Sequence, residues 1–306
     1  MKRRTFITNI SFFGGALFVP FQLFGASLPH FIEGIFPFKV GKFKCYSIID
    51  GIWPYASLEL LFHGAPTAVL NQKAKEFNLS PTNIKVSLHF LLIDTGEELI
   101  LVDTGAGDMA KEQGDQAGRL RHKLIEMGID PNDIKKVVIS HQHFDHFGGV
   151  CNENGEIRYP NATFYMDRKE YESLKEASGW EAQRLKSIEE KLETTQDGQE
   201  ISKGIKVLKA YGHTPGHIHL MIRSDGEEML YVGDTFGHEL HFEYPDWAMS
   251  HEYSKENAVQ VRKETLNRAV KENLTLFSCH LPFPGIGKVE RKGESFKWNP
   301  TSSNKG

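Results

Sequence analysis

Residues 141–146 combine three imidazoles and one carboxylate in the order His-Gln-His-Phe-Asp-His, directly after a short apolar run. In extended backbone, residues two positions apart project to the same side. His141 and His143 can therefore contact one metal ion, while Asp145 and His146, beyond a bend, face a neighbouring position. Imidazole and carboxylate ligands favour zinc or, less selectively, iron, manganese or cobalt. Chance clustering of surface or core histidines is the alternative, and four potential ligands in six positions count against it.

Three later residues extend this candidate site. His213, Asp234 and His280 each end an apolar, strand-like segment. A lone histidine or aspartate at a strand end is more often a hydrogen-bonded turn residue. A carboxylate at position 234 can bridge two cations, however, and the three residues in this order after the first cluster indicate a dinuclear site.

This set of residues resembles the dinuclear zinc pattern of the metallo-β-lactamase superfamily. The resemblance implies an α/β protein with a four-layer αββα sandwich and two Zn²⁺ per subunit, with Mn, Co or Fe as alternatives. It also implies seven ligands, in two sets that share one bridging carboxylate: His141, His143 and His213; Asp145, His146 and His280; and the bridge Asp234.

A narrower similarity runs from about Phe38 to Pro300. The segments 101–107, 233–238 and 280–287 are similar to the methyl parathion hydrolase-like and quorum-quenching lactonase-like branch of the superfamily. This similarity implies turnover of phosphotriesters, aryl esters or lactones.

One position departs from the lactonase pattern. The acyl-homoserine lactonases carry a tyrosine three residues after the bridging aspartate, and Gly237 occupies that position here. Tyr231, Tyr244 and His238 are the candidates to replace it in space. The departure tilts the expected pocket toward the methyl parathion hydrolase-like group.

The expected function is hydrolysis of esters, lactones or phosphotriesters by a hydroxide that bridges two zinc ions. Asp145, Asp234 and His238 are the predicted catalytic residues. The alternatives are a glyoxalase-II-like thioesterase, which shares every ligand, and a non-catalytic metal-binding sensor on the same fold. A complete ligand set counts against the sensor.

The expected partner is a small-molecule substrate. A net charge of −4 and a pI near 6.4 give no basic surface for nucleic acid. The sequence is also compatible with a homodimer.

Residues 1–27 are typical of an export signal. Arg3 and Arg4 precede an apolar stretch, an arrangement that resembles a twin-arginine signal and predicts a periplasmic or secreted protein. We expect the signal to contact the membrane only transiently. The alternative is that it is not cleaved and anchors the protein in the membrane. We expect a single domain at 36–300 and a flexible tail at 301–306.

Several other polar residues are assigned structural roles. Asp103 is expected to orient a metal-ligating histidine, and His217 and His219 are expected to be structural strand residues. Three cysteines do not make a disulfide framework. Alternation in the expected strand 274–279 turns Cys279 to the face opposite His280, so we expect its thiol to be buried in the core rather than to bind a metal.

The remaining pattern predicts the elements that position these residues. Hairpins are expected at 38–50 and 85–103, and helices at 110–127, 168–192 and 254–272. Aromatic side chains could wall a substrate pocket, although plain core packing is the expectation for each of them: Trp180, His241, Phe242, Tyr244 and Trp247.

Overall fold

The computed structural model describes residues 33–55, 57–82, 84–113 and 116–301. The predicted export signal, and all but the first residue of the predicted tail, lie outside these residues. Within them, no helix combines the length and the apolar character needed to cross a bilayer.

Two seven-stranded mixed sheets form the centre of the fold. The first contains, in spatial order, β1 (Ile35–Val40), β2 (Phe43–Tyr55), β3 (Ile84–Asp94), β4 (Leu99–Val102), β5 (Ile134–Ile139), β6 (Thr163–Asp167) and β7 (Leu192–Thr195). Its first four strands are antiparallel, and β4 to β7 are parallel.

The second sheet is ordered from the end of the chain backwards. It contains β8 (Glu200–Ser202), β9 (Ile205–Lys209), β10 (Ile218–Ser224), β11 (Glu227–Tyr231), β12 (Thr275–Phe277), β13 (Ile286–Lys292) and β14 (Ser295–Pro300). Only β11 and β12 pair in parallel, because the chain crosses a helix between them.

Eight α-helices lie outside the sheets in the described part of the chain. They are α1 (Leu58–Leu61), α2 (Thr67–Glu76), α3 (Leu120–Glu126), α4 (Phe144–Phe147), α5 (Arg168–Lys175), α6 (Trp180–Ile188), α7 (Leu240–Glu243) and α8 (Lys255–Glu272). Short 3₁₀ segments lie at Gly107–Gln113, Pro131–Asp133, Gly148–Val150, Glu189–Lys191 and Gly233–Thr235.

Burial on both faces of the sheets explains their near-continuous apolar sequences. In β3, Leu91 and Ile93 pack between the sheets, while Phe90 and Leu92 point to the helices on the other side. Helices α3, α5 and α6 cover the first sheet, and α7 and α8 cover the second. The resulting order of helix, sheet, sheet, helix confirms the predicted αββα sandwich.

The predicted hairpins are present, but two predicted helices are shorter than expected. The described residues within 110–127 form the end of a 3₁₀ segment and α3, and Gly118, which precedes α3, has a φ of 81° that is unfavourable for other residues. Residues 168–192 are divided into α5 and α6 at Gly179, where φ is 82°. Spacing of apolar residues alone did not reveal these glycine breaks.

The candidate ligands all follow strand ends at one edge of the sandwich. The loop after β5 carries four of them, and the loops after β9, β11 and β12 carry one each. Gly149, just past the first loop, has no room for a side chain, because a Cβ there would lie 2.1 Å from the carbonyl oxygen of Thr104. Close backbone packing therefore fixes the loop on which most of the site depends.

Candidate metal centre

Three imidazole nitrogens converge at the end of β5. The Nδ1 atom of His143 lies 3.0 Å from Nε2 of His141 and 3.0 Å from Nε2 of His213. The Oδ2 atom of Asp234 lies 3.6 Å and 3.2 Å from those two Nε2 atoms. These four side chains could hold one metal ion. We call the three histidines the first group.

The spacing in the first group fits a tetrahedral zinc site. Bonds of about 2 Å to four tetrahedral ligands place the ligand atoms about 3.3 Å apart, and the distances between 3.0 and 3.6 Å lie around that value. The residues present therefore fit the metal that the sequence pattern implies.

A second group of side chains contacts both oxygens of the same carboxylate. Oδ1 of Asp234 lies 2.9 Å from Nε2 of His146, and Oδ2 lies 3.0 Å from Nε2 of His280. The Oδ2 atom of Asp145 lies 3.5 Å from both of these Nε2 atoms. We call His146, His280 and Asp145 the second group. The structure thus brings together all seven residues that were predicted from the sequence to be ligands.

An unsatisfied nitrogen supports a ligand role for the second group. The buried Nε2 of His146 has no hydrogen-bond partner among the residues described, although the Asp234 carboxylate is close to it. A buried polar atom without a partner is costly. A bound cation would satisfy this nitrogen.

The other ring nitrogen of several candidate ligands is held by a neighbour. Nδ1 of His146 lies 2.8 Å from Oδ2 of Asp103, which confirms the expected contact of this carboxylate with a candidate ligand. Nδ1 of His280 donates to the carbonyl oxygen of Ser87 at 3.1 Å. Such contacts fix the ring orientation and the tautomer that presents Nε2 to a metal. Tyr231 donates a further hydrogen bond to Asp103 at 2.6 Å.

His217 supports the bridging aspartate through the backbone. Its Nε2 accepts a hydrogen bond from the amide of Asp234 at 3.1 Å, and its Nδ1 donates to the carbonyl oxygen of Ala210. His219 bonds the side chain of Thr235 at 2.6 Å. Both histidines therefore have the predicted structural contacts, although only His219 is a strand residue, because β10 begins at Ile218.

The two groups differ in electrostatics. Burial lowers the pKa of His141 and His143 well below the ordinary value, and neighbouring imidazoles lower it further. Burial lowers the pKa of His213 to about 3, although Asp234 opposes this shift. The first group is therefore neutral and able to present its nitrogen lone pairs to a cation.

Carboxylates reverse this effect in the second group. Burial alone would lower the pKa of His146, but Asp234, Asp145 and Asp103 together raise it well above its ordinary value. The pKa of His280 is raised in the same way, because Asp234 and Asp145 outweigh its burial. Burial would raise the pKa of Asp234, yet the surrounding imidazoles hold it well below its usual range.

The orientation predicted for Cys279 is wrong. Its thiol is buried, as expected, but Sγ lies 3.3 Å from Oδ1 of Asp234, within the cluster of candidate ligand atoms. The physical reason is that β12 ends at Phe277, so strand alternation no longer governs the turn that follows. The sequence pattern placed the end of this strand two residues too late.

Glu170 connects the two loops that carry the first group. Its carboxylate accepts hydrogen bonds from the amide of Gln142 at 2.7 Å, the hydroxyl of Thr214 at 2.8 Å and the amide of Gly216 at 2.7 Å. Burial raises the pKa of this carboxyl group to about 7. Because these bonds join the loops of His141 and His213, we infer that Glu170 positions the first group.

The family model of the Metallo-beta-lactamase superfamily matches residues 89–280, which is more than half of the chain. The chain belongs to this superfamily.

Known members of the superfamily support this assignment. An N-acyl homoserine lactonase of a Bacillus species is 27% identical over 209 residues, which cover 60% of this chain and 80% of the relative. The solved structure of AidC, a dizinc quorum-quenching lactonase, aligns with a TM-score of 0.82 at 28% identity and covers 88% of this chain and 98% of AidC. The hydrolase AbOPH aligns with a TM-score of 0.77 at 25% identity, covering 89% and 99%. The predicted metal-dependent hydrolase of the metallo-beta-lactamase superfamily is thereby confirmed.

A cavity of about 300 Å³ opens beside the candidate ligands. Four of its lining residues are candidate ligands, namely His143, Asp145, Asp234 and His280. Four others form a largely apolar wall, namely Trp53, Val86, Leu88 and Phe144. The ninth is His251. The rings of Trp53 and Phe144 lie 4.1 Å apart. The apolar wall therefore comes from β2, β3 and the start of α4.

The aromatic residues that the sequence suggested as possible walls of a substrate pocket do not line this cavity. Tyr244 stacks on Trp247 at 4.0 Å, and Phe242 stacks on Phe236 at 4.4 Å. Trp180 lines a neighbouring cavity of about 330 Å³. Most of these side chains are instead packed in the core, as was expected for each of them individually.

His238 also lies away from the lining of the cavity. Its ring contacts Phe62 and Phe77 at 5.5 and 5.6 Å, and its Nδ1 accepts a hydrogen bond from the amide of Leu240. Burial lowers its pKa to about 4. The structure therefore gives His238 a place at the start of α7 and shows no contact that supports its predicted catalytic role.

Gly237 is enclosed by other side chains. A Cβ at this position would lie 2.7 Å from Sδ of Met249 and 2.8 Å from Cδ1 of Leu61. A side chain at the position where related lactonases carry a tyrosine would therefore require Met249 and Leu61 to move. Tyr231, a proposed substitute, directs its hydroxyl to Asp103 rather than to the cavity.

Proposed function

We propose that this protein is a dinuclear zinc lactonase that also accepts activated aryl esters. The observation that carries the proposal is the cavity, which places the shared Asp234 carboxylate beside a largely apolar wall. A neutral substrate with an apolar chain can lie against that wall while its carbonyl group meets the candidate ligands. The likeness to AidC over most of the chain supports a lactone as the preferred substrate.

In this proposal, His141, His143 and His213 would hold one zinc ion, and Asp145, His146 and His280 would hold the other, with Asp234 contributing to both sites. Two bound zinc ions would lower the pKa of water toward neutrality and stabilise negative charge on the attacked carbonyl oxygen.

The residues of the chain supply orientation and proton transfer. Asp234 and Asp145 both line the cavity, so their carboxylate oxygens can orient the attacking water. Because Asp234 is shared by both groups and its pKa is held well below the usual range, Asp145, which contacts the second group alone, accepts a proton from this water and returns it to the ring oxygen as the carbon–oxygen bond of the lactone breaks. One water is consumed, and the product is a hydroxy acid. Trp53 and Phe144 bind the acyl chain and exclude water from it.

A substrate panel tests the proposal. We would compare kcat/KM for an N-acyl homoserine lactone, an aryl ester, a dialkyl aryl phosphate, a glutathione thioester and a β-lactam on one zinc-loaded preparation. The lactone should give the highest value, and the thioester and the β-lactam the lowest. A clear lead for the glutathione thioester would instead assign the protein to the glyoxalase-II-like thioesterases. A chelated sample provides the control for metal dependence.

Dialkyl aryl phosphates enter this panel because of the similarity to methyl parathion hydrolase-like sequences. They are neutral, carry apolar groups and have a good leaving group, so the same cavity suits them. We expect measurable turnover that is slower than that of the lactone.

A further inference from the structure

Among the described residues that line the cavity, His251 has a distinct position. Four of the nine lining residues are candidate metal ligands and four are apolar. Of the other lining side chains, Trp53 offers only an indole N–H donor, whereas the imidazole of His251 carries both a donor and an acceptor nitrogen. A substrate group that lies away from the candidate ligands and needs both from one lining side chain therefore finds them at His251.

The position of His251 is fixed by the structure around it. Its ring packs against those of His213 and His143, with centroids 5.2 and 5.5 Å apart. Two residues later, the amide of Tyr253 donates to the carbonyl oxygen of His213 at 3.0 Å. This hydrogen bond holds the backbone next to His251 in place. The residue itself is solvent-exposed and so accessible to a ligand.

A buried ion pair holds the same loop from behind. Glu252 and Arg262 are both inaccessible to solvent and are joined at 2.7 Å. Arg262 also donates to the carbonyl oxygens of Trp247 at 2.6 Å and Thr235 at 2.8 Å. This arginine therefore connects the loop of His251 to the residue after Asp234. Such support is typical of a binding group that must keep one orientation.

The chemistry of the imidazole indicates what it recognises. A neutral imidazole offers one donor and one acceptor nitrogen, and a secondary amide offers one acceptor and one donor in return. An amide that enters a largely apolar cavity without a partner loses its hydrogen bonds to water, which is unfavourable.

We propose that His251 is a substrate-positioning residue that hydrogen-bonds an amide group next to the lactone ring. This inference rests on the proposed lactonase function and makes it more specific. The enzyme prefers lactones that carry an acylamino group over simple alkyl lactones, and His251 produces much of that preference.

Two variants and two substrates test this role. His251→Phe keeps an aromatic ring against His143 and His213 but removes both ring nitrogens, and His251→Asn restores a donor and an acceptor. The substrates are N-hexanoyl homoserine lactone and an alkyl γ-lactone of similar length without an amide. His122→Phe, at an exposed histidine of α3, serves as the control.

We expect His251→Phe to lower kcat/KM for the acylamino lactone by about tenfold, the scale of one hydrogen bond. The loss should lie mainly in KM, and the alkyl lactone should change by less than twofold. His251→Asn should recover part of the preference, and metal content should equal that of the wild type in both variants. An equal loss on both lactones, or an unchanged preference, would overturn the proposal.

A binding measurement separates this inference from the lactonase proposal. Calorimetry with the product N-hexanoyl-homoserine should show a Kd about tenfold higher in His251→Phe than in the wild type. If the wild type binds this product but does not hydrolyse the lactone, the proposed function fails and the role of His251 is still decided by the two Kd values. If the wild type neither binds the product nor hydrolyses the lactone, both proposals are wrong.

Discussion

The first and second groups bind the same carboxylate in different electrostatic settings. The first consists of three neutral imidazoles, and Asp234 is the carboxylate that touches it. The second combines two imidazoles with Asp145 and has Asp103 behind His146. Charge compensation in the first group therefore depends on one residue, whereas the second group has its own carboxylate. This difference predicts which of the two groups loses its metal ion first when a given residue is changed.

The largest effect is expected for Asp234→Asn. This change keeps the shape of the side chain but removes the charge shared by both groups, so activity should fall by about 10²-fold or more. The first group should lose its metal before the second, because Asp145 still compensates the second. Zinc titration together with kcat measurement checks this order. Asp225→Asn, in an exposed turn, is the control, and near-wild-type turnover at full metal content would show that Asp234 has been misassigned.

Asp103→Asn should affect the second group more than the first, because Asp103 contacts His146 directly but reaches His141 only through the hydroxyl of Ser140. The carboxylate orients His146, and loss of such a contact typically weakens metal affinity by about 10- to 100-fold. We expect one of two zinc ions to dissociate at lower chelator concentration while the other is retained. Tyr231→Phe removes a single hydrogen bond to the same carboxylate and should have a smaller effect. Equal weakening of both ions would contradict the separation into two groups.

Glu170→Gln addresses the loops of the first group. The pKa of this carboxyl is about 7 in the folded protein against an ordinary value of 4.5, so the folded state binds an extra proton between these values. The resulting stability is fully present below about pH 4.5 and is lost as the pH rises through about 7. At about 1.4 kcal/mol per pKa unit, the change amounts to about 3 kcal/mol.

The free energy of unfolding of the wild type minus that of Glu170→Gln should therefore decrease across this pH range. Denaturant unfolding at several pH values measures it. Glu172→Gln, exposed on the same helix, is the control. A difference that does not vary with pH would show that Glu170 keeps an ordinary pKa in the folded protein and that its loop contacts compensate fully for its burial.

Cys279→Ser should have the smallest effect. A serine hydroxyl can donate the same hydrogen bond to Oδ1 of Asp234, so both metals and activity within a few-fold of the wild type should be retained. Cys279→Ala removes the bond and should cost more than the serine variant. Loss of a metal ion from Cys279→Ser, measured by elemental analysis, would instead make the thiol a ligand of the second group.

The sequence predicted the parts of the site that depend on residue type and local spacing. Two residues separated by one position in an extended loop, as His141 and His143 are, must lie close together wherever the loop is placed. The hairpin of β1 and β2 was similarly evident, because its turn residues, Gly41 and Lys42, interrupt two apolar runs. The layered fold followed from the resemblance and from strands that are apolar on both faces.

The remainder depends on contacts between distant segments. Trp53, Val86 and His251 line one cavity although no spacing rule relates them. His251 is a single histidine in a loop, so nothing in its sequence context distinguishes it from a surface residue. Cys279 was misplaced for a related reason, since hydrogen bonding between strands, rather than local apolar character, ends β12 at Phe277.

The metal content of the purified protein tests the central claim most directly. Elemental analysis after gentle purification, repeated after chelation and zinc reconstitution, should give close to two transition-metal ions per chain, and activity should return with the metal. Two ions are expected because two separate sets of candidate ligand atoms share the Asp234 carboxylate, with the first group beside Oδ2 and the second group in contact with both oxygens. One ion or fewer per chain, with no activity gained on adding zinc, cobalt or manganese, would contradict the account.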